Sequence, residues 1–362
     1  MTDWPVKTLG QMLELSYGKP LDAKDRDDNG SVPVYGANGV KAYSKKFLVS
    51  GPSIIVGRKG SAGELNFCEG PFWPLDVTYY VQHDANETDL SFLHYLLSLM
   101  DLPLLAKGVK PGINRNDVYA LQAVLPPLEE QKRIVALLDA ATARVTELTA
   151  CYEQARTHAN NLFTSALRDA LESNPDWPIR TLGQVATFHN GRAYKQQELL
   201  DKGKYRVLRV GNFFSSKSWY WSDLELDEHK YCDKGDLLYA WSASFGPRIW
   251  DEEKVIYHYH IWKVVEESQQ INRQFLKYWL EEDVERVKSA SGTGTTMMHV
   301  SKGSIEARLI SLPPLEEQKQ IVARLDSMRA KTSEMVAAYD AKLQAAKNLR
   351  QSVLEAAFAG EL

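Results

Sequence analysis

Apolar and small residues recur at alternating spacings of four and three in two stretches of the chain. The first stretch runs without a break through Ile134, Leu138, Ala141, Val145, Leu148, Tyr152, Ala155, Ala159, Leu162 and Ala166. The second, interrupted at Thr332 and Lys342, runs through Ile321, Leu325, Met328, Met335, Tyr339, Ala346, Leu349 and Val353. This spacing lines up side chains along one seam of a helix, so it predicts two long helices whose seams pack on each other.

The segments that precede these helices carry a different pattern, in which short β-branched and aromatic runs are broken by glycine turns. Such runs are typical of strands. The chain is therefore predicted to be α+β, with two α/β domains alternating with two long helices that pair as an antiparallel coiled coil. The predicted boundaries are a first domain at 1–125, a first helix at 126–175, a second domain at 176–312 and a second helix at 313–362.

Two motifs occur twice along the chain. Residues 4–11 (WPVKTLGQ) return as residues 177–184 (WPIRTLGQ), and residues 126–132 (PPLEEQK) return unchanged as residues 313–319. Proline in a first turn, followed by glutamates that complement the helix dipole, indicates a helix start at each second motif. The two motifs lie further apart in the second half of the chain. The pattern therefore predicts a tandem duplication whose front parts have diverged.

Composition narrows the possible functions. A chain of 362 residues with 44% hydrophobic residues is large enough for about two folded domains. Its formal net charge of -4 predicts weak DNA binding by the isolated chain, with partners supplying positive surface. Cys68, Cys151 and Cys232 are far apart, which favours reduced thiols. No apolar run approaches membrane-spanning length and the opening residues lack an export signal, so a cytoplasmic location is expected.

The order of these motifs resembles that of the specificity subunits of type I restriction-modification systems. The resemblance covers nearly the whole chain and also includes VYGANG at 34–39, FWPLD at 72–76, LRVGN at 208–212, GDLL at 235–238 and AFAGEL at 357–362. It implies a sequence-specific DNA-binding protein with two target-recognition domains. Each domain would read one half of a bipartite, asymmetric, interrupted site, and the helix pair would fix the gap between the halves.

The resemblance also implies partners. These are double-stranded DNA, two methyltransferase subunits and, in complexes that also cleave DNA, restriction subunits that act as translocase and nuclease; no membrane partner is implied. S-adenosylmethionine would be bound by the methyltransferase partner, and no cofactor is expected on this chain. A non-catalytic subunit is also the expectation from the residues, because the sequence lacks the Asn-Pro-Pro-aromatic or Asp-Pro-Pro-aromatic element of amino-methyltransferases.

Loops of the first domain supply candidate DNA contacts. Arg58 and Lys59 follow an apolar strand between two glycines, where arginine suits guanine and lysine suits phosphate. A solvated turn is the alternative for this loop, and simple turn chemistry is the alternative for Asn38, which precedes a glycine. The candidates in this domain are Lys19, Tyr35, Asn38, Arg58, Lys59, Lys110, Asn114 and Arg115.

The second domain carries a polar and aromatic loop where the first carries a basic one, which predicts a different base preference. Ordinary surface charge is the alternative for each basic candidate. The candidates are Arg192, Tyr194, Lys195, Arg209, Asn212, Trp241, Ser242 and Ser244. His258 and His260 share one strand face, but no third ligand is evident and the flanking aromatic residues favour packing, so no metal site is predicted.

One other function is compatible with this build, and two more are disfavoured. A stand-alone DNA-binding regulator or decoy of the same architecture would bind its site tightly without a methyltransferase, whereas a specificity subunit would be found in an obligate complex. A purely structural coiled-coil adaptor would not need two divergent domains of more than about a hundred residues each. A nuclease built around Asp251, Glu252 and Lys254 is disfavoured, because such charged strings are common on surfaces.

Overall fold

The computed structural model describes residues 4–27, 29–172, 174–215, 218–242, 244–267, 269–290 and 300–362, without the side chains of 244, 245 and 287–290. The chain divides into two compact units. The first unit comprises residues 1–153 with 340–362, and the second comprises residues 154–339. Within the described ranges, no helix combines the length and the apolar character needed to cross a membrane.

The first unit contains two small sheets and one isolated strand pair. Its strands are β1 Val6–Thr8, β2 Glu14–Tyr17, β3 Val32–Gly36, β4 Gly39–Ser44, β5 Ser53–Gly57, β6 Leu65–Cys68, β7 Trp73–Pro74, β8 Thr78–Gln82 and β9 Gln122–Val124. The antiparallel sheet has the order β2-β8-β5-β6, the second sheet has the order β4-β3-β7, and β1 pairs with β9. Its helices are α1 Leu9–Met12, α2 Leu90–Leu99, α3 Arg115–Tyr119 and the first part of α4 Leu128–Glu172, with 3-10 turns at Ala23–Asp25 and Leu102–Leu105.

The second unit repeats this plan. Its strands are β10 Ile179–Thr181, β11 Ala186–Asn190, β12 Tyr205–Leu208, β13 Tyr220–Ser222, β14 Tyr231–Cys232, β15 Leu237–Ser242, β16 Ser244–Ile249, β17 Val255–Tyr257, β18 Ile261–Glu266 and β19 Leu309–Ser311. The sheet β11-β18-β15-β16 follows the order of β2-β8-β5-β6, while the other sheet has the order β13-β12-β17-β14. The helices are the remainder of α4, α5 Leu182–Val185, α6 Val210–Phe214, α7 Arg273–Ala290, α8 Lys302–Glu306 and the first part of α9 Leu315–Ala359, with 3-10 turns at Gln196–Glu198 and Glu228–Lys230. The last part of α9 belongs to the first unit.

The two long helices pack on each other within each unit. In the first unit, Leu138 near the start of α4 shares a buried cluster with Leu354 and Phe358 near the end of α9. In the second unit, Leu167 near the end of α4 shares a cluster with Leu325 near the start of α9. The pairing is therefore antiparallel, and the predicted α+β fold with two α/β domains and two long paired helices is confirmed.

The seam differs from the predicted heptad pattern at several positions. Leu162, Met335 and Leu349 are 49%, 41% and 50% exposed, although the pattern assigns them to the seam. Thr332, which interrupts the pattern, is instead buried, and its hydroxyl donates to the Met328 carbonyl oxygen at 3.0 Å. A helix turns once in about 3.6 residues, so a strict seven-residue repeat drifts around its surface and different positions face the partner helix at the two ends.

The predicted seam positions differ in how deeply they are packed. Ile134, Leu138, Val145 and Leu325 are buried. Leu148, Tyr152, Ile321, Met328, Tyr339 and Val353 are half-buried.

A buried glutamine joins each long helix to the domain in front of it. Gln131 is fully buried; its Oε1 accepts from the Asp89 backbone nitrogen at 2.8 Å, and its Nε2 donates to the carbonyl oxygens of Glu87 and Pro126 at 2.9 and 2.8 Å. Gln318 makes the same three bonds, to Asn272, Gln270 and Pro313. The repeated PPLEEQ motif is thus a joint as well as a helix start.

Candidate nucleic-acid interface

Two arginines and a tyrosine form the centre of a basic surface in the first unit. The Arg58 guanidinium lies 4.9 Å from the centre of the Tyr17 ring, and the Arg115 guanidinium lies 5.2 Å from the same ring. Arg58 Nη1 also donates to the Asp76 carbonyl oxygen at 2.8 Å. Stacking on Tyr17 therefore holds both cations in place, and the hydrogen bond also fixes Arg58, although the two arginines are far apart in the sequence. We call Arg58, Lys59, Lys110, Arg115 and Tyr17 the basic cluster.

Backbone hydrogen bonds bring the loops of this cluster together. The Ile113 nitrogen donates to the Arg58 carbonyl oxygen at 3.0 Å, and the Gly60 nitrogen donates to the Pro111 carbonyl oxygen at 2.9 Å. These bonds place the loop that carries Lys110 beside the loop that carries Lys59, and both lysines are exposed. The structure therefore gathers candidates from positions 58–59 and 110–115 into one surface.

A glycine allows a third loop to approach this surface. A Cβ atom on Gly18 would lie 2.1 Å from the Leu75 carbonyl oxygen, so only glycine fits there. The next residue, Lys19, is exposed, and its backbone nitrogen donates to the Pro74 carbonyl oxygen at 2.9 Å. Lys19 therefore extends from a backbone that is fixed against the β7–β8 connection.

Three other candidates in the first unit have local structural roles. Tyr35 is half-buried edge-on against Phe72, and burial raises its pKa to about 12. Asn38 is exposed in the turn between β3 and β4, just before Gly39, whose φ is +104°. Asn114 caps α3, because its side chain accepts from the Asn116 nitrogen at 2.9 Å. Asn38 thus fits a role in the turn, and Asn114 fits a role as a helix cap, as well as the predicted DNA contacts.

Around the end of β15, the second unit has the same backbone arrangement as the first unit has around the end of β5, with different side chains. We call this shared backbone the frame. Trp241 occupies the place of Arg58: its backbone nitrogen donates to the His260 carbonyl oxygen at 3.0 Å, as Arg58 does to Val77 at 2.8 Å. The following residue, Ser242, is buried, whereas Lys59 is exposed. The side chain of Ser244 lies outside the described residues.

Arg192 is held by an acidic partner within the second unit. Its two terminal nitrogens each lie 2.8 Å from an oxygen of Glu198, and this pairing holds the Glu198 pKa at about 2. The Lys195 backbone nitrogen also donates to Glu198 at 2.7 Å, and the Lys195 side chain is exposed. The Arg192 guanidinium lies 5.2 Å from the Tyr194 ring centre. The geometry therefore makes Arg192 a residue that positions Tyr194, while Lys195 remains presented to solvent.

A polar pocket of about 410 Å³ opens beside this frame. We call it the histidine pocket, and its polar lining consists of Arg209, Asn212, Ser218, Tyr220, His258 and His260. The Arg209 guanidinium lies 5.1 Å from the Tyr220 ring centre. Asn212 is 9% exposed, and its Nδ2 donates to the Ser218 carbonyl oxygen at 3.2 Å, so its amide shapes the wall of the pocket.

His258 is neutral at physiological pH. Burial lowers its pKa to about 4, with further lowering by the neighbouring His260 and Arg209. The Tyr194 ring stacks against it at 6.3 Å, and the Tyr194 hydroxyl is buried without a hydrogen-bond partner among the described residues. Sequence reasoning singled out Arg209, Asn212 and Tyr194 but missed both histidines as contact residues, because it weighed them only as metal ligands.

Comparisons with known proteins agree with the repeated architecture. A family model described as the type I restriction modification DNA specificity domain matches residues 1–155 and 174–344. A putative type I restriction enzyme specificity subunit, S.HindORF215P of Haemophilus influenzae, is 24% identical over 323 residues, which cover 84% of this chain and 82% of that protein. The MjaVIII specificity subunit of Methanocaldococcus jannaschii is 25% identical over 369 residues, which cover 90% of this chain and 86% of that protein.

Two solved structures have the same fold. A chain from a study of complex assembly and conformational transition of the type I R-M system matches with a TM-score of 0.80 and 20% identity, covering 99% of this chain and 98% of that one. The HsdS subunit from Thermoanaerobacter tengcongensis matches with a TM-score of 0.58 and 20% identity, covering 100% of this chain and 98% of that one. These likenesses concern the fold.

Proposed function

This chain belongs to the type I restriction-modification DNA specificity family, and on that premise we propose that its two units read two different halves of one interrupted DNA site. The chain is a non-catalytic specificity subunit that recognises DNA sequence with two domains. Its site is proposed to be bipartite and asymmetric, and we assign the gap between the half-sites to the paired helices, as the family resemblance implies.

Different side chains at matching places of the two units support the proposal of an asymmetric site. At matching places the first unit presents Arg58 and exposed Lys59, whereas the second presents Trp241 and buried Ser242. Base edges are distinguished by the donors and acceptors that reach them, so different side chains in the two units favour different bases. Identical side chains would instead favour a palindromic site.

We propose that two methyltransferase subunits bind this chain, one for each repeat of the long helices. Alignment of the two PPLEEQ motifs brings Leu162 of α4 onto Leu349 of α9, and these leucines are 49% and 50% exposed. Because the two leucines occupy the same position in the two repeats, they offer the same contact to two copies of one partner. The methyltransferase would bind S-adenosylmethionine and carry out the methyl transfer, and restriction subunits would join in complexes that cleave DNA.

Changing each leucine tests this stoichiometry. Leu162→Asp and Leu349→Asp should each reduce the mass of the purified complex by one methyltransferase, as measured by native mass spectrometry. Leu104→Asp is the control, because Leu104 is also exposed but lies outside the long helices. Two bound methyltransferases in both single variants would contradict the assignment of these positions.

Exchange of the first domain tests the reading of two half-sites. Residues 1–125 are replaced by the corresponding segment of another family member, and methylated bases are mapped genome-wide in cells that carry the chimera with its methyltransferase. One half of the methylated sequence should change while the other half stays the same. A change in both halves, or in neither, would contradict the proposal.

A further inference from the structure

The backbone of residues 258–260 is held on several sides at the rim of the histidine pocket. The His258 nitrogen donates to the Leu208 carbonyl oxygen at 2.9 Å, and the Tyr259 nitrogen donates to the Arg192 carbonyl oxygen at 3.1 Å. The His260 carbonyl oxygen accepts from the Trp241 nitrogen at 3.0 Å. Three separate chain segments therefore fix this short connection between β17 and β18, which suits a surface that must keep its shape when it binds DNA.

The two imidazoles of the pocket are fixed by neighbouring rings. The centres of the His258 and His260 rings lie 4.9 Å apart, and His260 also packs edge-on against Trp241 at 5.0 Å. The Tyr194 ring stacks on the His258 ring, with the two ring centres 6.3 Å apart. With its lowered pKa, His258 presents a neutral ring that has one donor and one acceptor, which suits base edges better than phosphate.

The corresponding places in the first unit are apolar. Gly18 and Gly191 make the same close backbone approach, the first to Leu75 and the second to Tyr257 and His258. In this register Leu75 takes the place of His258, and Val77 takes the place of His260. The polar pocket is therefore a property of the second unit's side chains on a frame that both units share.

Resting on the proposed function, we propose that the histidine pocket reads a guanine in the second half-site, with Arg209 donating to its O6 and N7 atoms and with His258 and His260 as further specificity-determining residues. Guanine presents two acceptors in the major groove, which is the pattern that an arginine fork matches. None of the described lining residues is acidic, so a cytosine amino group finds no carboxylate there. Asn212 is committed to Ser218, which disfavours its use in reading adenine.

The test uses the chain assembled with its methyltransferase and DNA that carries the methylated site mapped in cells. Each guanine of the second half-site is replaced in turn by 7-deazaguanine, which lacks the N7 acceptor. One replacement should weaken binding by the wild-type complex at least about fivefold, the size of a lost base contact. If the half-site is still discriminated but no guanine responds, the pocket assignment is overturned.

Variants connect that guanine to the pocket. Arg209→Gln should bind guanine and 7-deazaguanine equally at the sensitive position. The double variant His258→Leu with His260→Val keeps Arg209 and should reduce the difference in affinity between the two bases. The two apolar substitutions copy Leu75 and Val77 of the first unit, so the frame is expected to accept them. His229→Asn, a histidine change elsewhere in the second unit, should respond as the wild type does. An unchanged response in both pocket variants would also overturn the inference.

The first half-site supplies the internal reference. Each variant should still prefer an intact first half-site, which shows that it is folded and assembled. Absence of any sequence-specific binding or methylation by the wild-type complex would overturn the proposed function itself. Normal methylation with a second half-site that ignores the pocket variants would overturn only the present inference.

Discussion

The indole nitrogen of Trp241 donates a hydrogen bond to the Tyr259 carbonyl oxygen at 2.9 Å. In the first unit, Arg58 donates to the Asp76 carbonyl oxygen at 2.8 Å. The two side chains thus donate to carbonyl oxygens at equivalent places, one from a charged group and the other from an aromatic one. Each also lies against an aromatic ring, Arg58 over Tyr79 and Trp241 stacked on Trp262.

Trp241→Arg should therefore fold and alter the sequence that is read. Arginine can keep a donor near the Tyr259 carbonyl and can stack on Trp262, so the free energy of unfolding should change by less than about 1.5 kcal/mol. Mapping of methylated bases should show a changed preference in the second half-site alone. A changed first half-site would contradict the assignment of Trp241 to the second reader.

Lys59→Ala should weaken binding to all DNA sequences by a similar factor. An exposed lysine at this place suits phosphate, and each phosphate contact releases counterions, so the slope of log affinity against log salt should fall by about 1. Titrations with specific and non-specific duplexes at several salt concentrations measure both effects. Lys132→Ala is the control, because Lys132 is paired with Glu129 on α4. A loss confined to the specific duplex would indicate base reading by Lys59 instead.

Gln131→Ala should destabilise the first unit. The substitution leaves the Asp89 N–H and two carbonyl oxygens without their side-chain partner in a buried place, which costs about 2 to 3 kcal/mol. Urea unfolding followed by circular dichroism measures the change. Gln344→Ala, at an exposed position of α9, should change stability by less than about 0.5 kcal/mol. Equal effects of the two substitutions would argue against the joint.

Acid should destabilise the second unit through His258. The folded pKa of about 4 lies below the ordinary value of 6.5, so between these values the unfolded chain binds more protons than the folded one. Stability is therefore lost as the pH falls through 6.5, and this loss is complete below about 4. Between pH 7 and pH 5, the wild type should lose on the order of 1 kcal/mol more than His258→Leu, measured by urea unfolding at both pH values. Equal losses in the two proteins would contradict the lowered pKa.

The sequence predicted those parts of the fold that depend on local periodicity. The helix starts at the PPLEEQ motifs and the apolar repeat both concern residues close together in the chain, and both long helices are present. The seam was less predictable, because a buried Thr332 satisfies its hydroxyl by bonding to the helix backbone and Leu349 of the repeat is exposed. Such details depend on how the neighbouring helix lies against each turn.

The candidate site was predicted one loop at a time. Arg58 and Arg115 were each chosen for their own surroundings, and only the folded chain shows that both lie against Tyr17. The correspondence between His258 and Leu75 could not be predicted from the sequence. These residues occupy equivalent backbone positions, but their side chains are chemically different. The matching glycines at positions 18 and 191 were a signal of this correspondence. They identify the equivalent residues only when the strand pairing is known.

The glutamine joints form their hydrogen bonds with main-chain atoms of the domains that they hold. Gln131 bonds to one backbone nitrogen and two carbonyl oxygens, and Gln318 does the same. These bonds therefore do not depend on which side chains surround the attachment point, provided that the loop keeps its path. We infer that exchange of an attached domain leaves this anchor intact, and that a new domain is constrained mainly where its side chains pack on the long helices, as Phe92 does on Phe358.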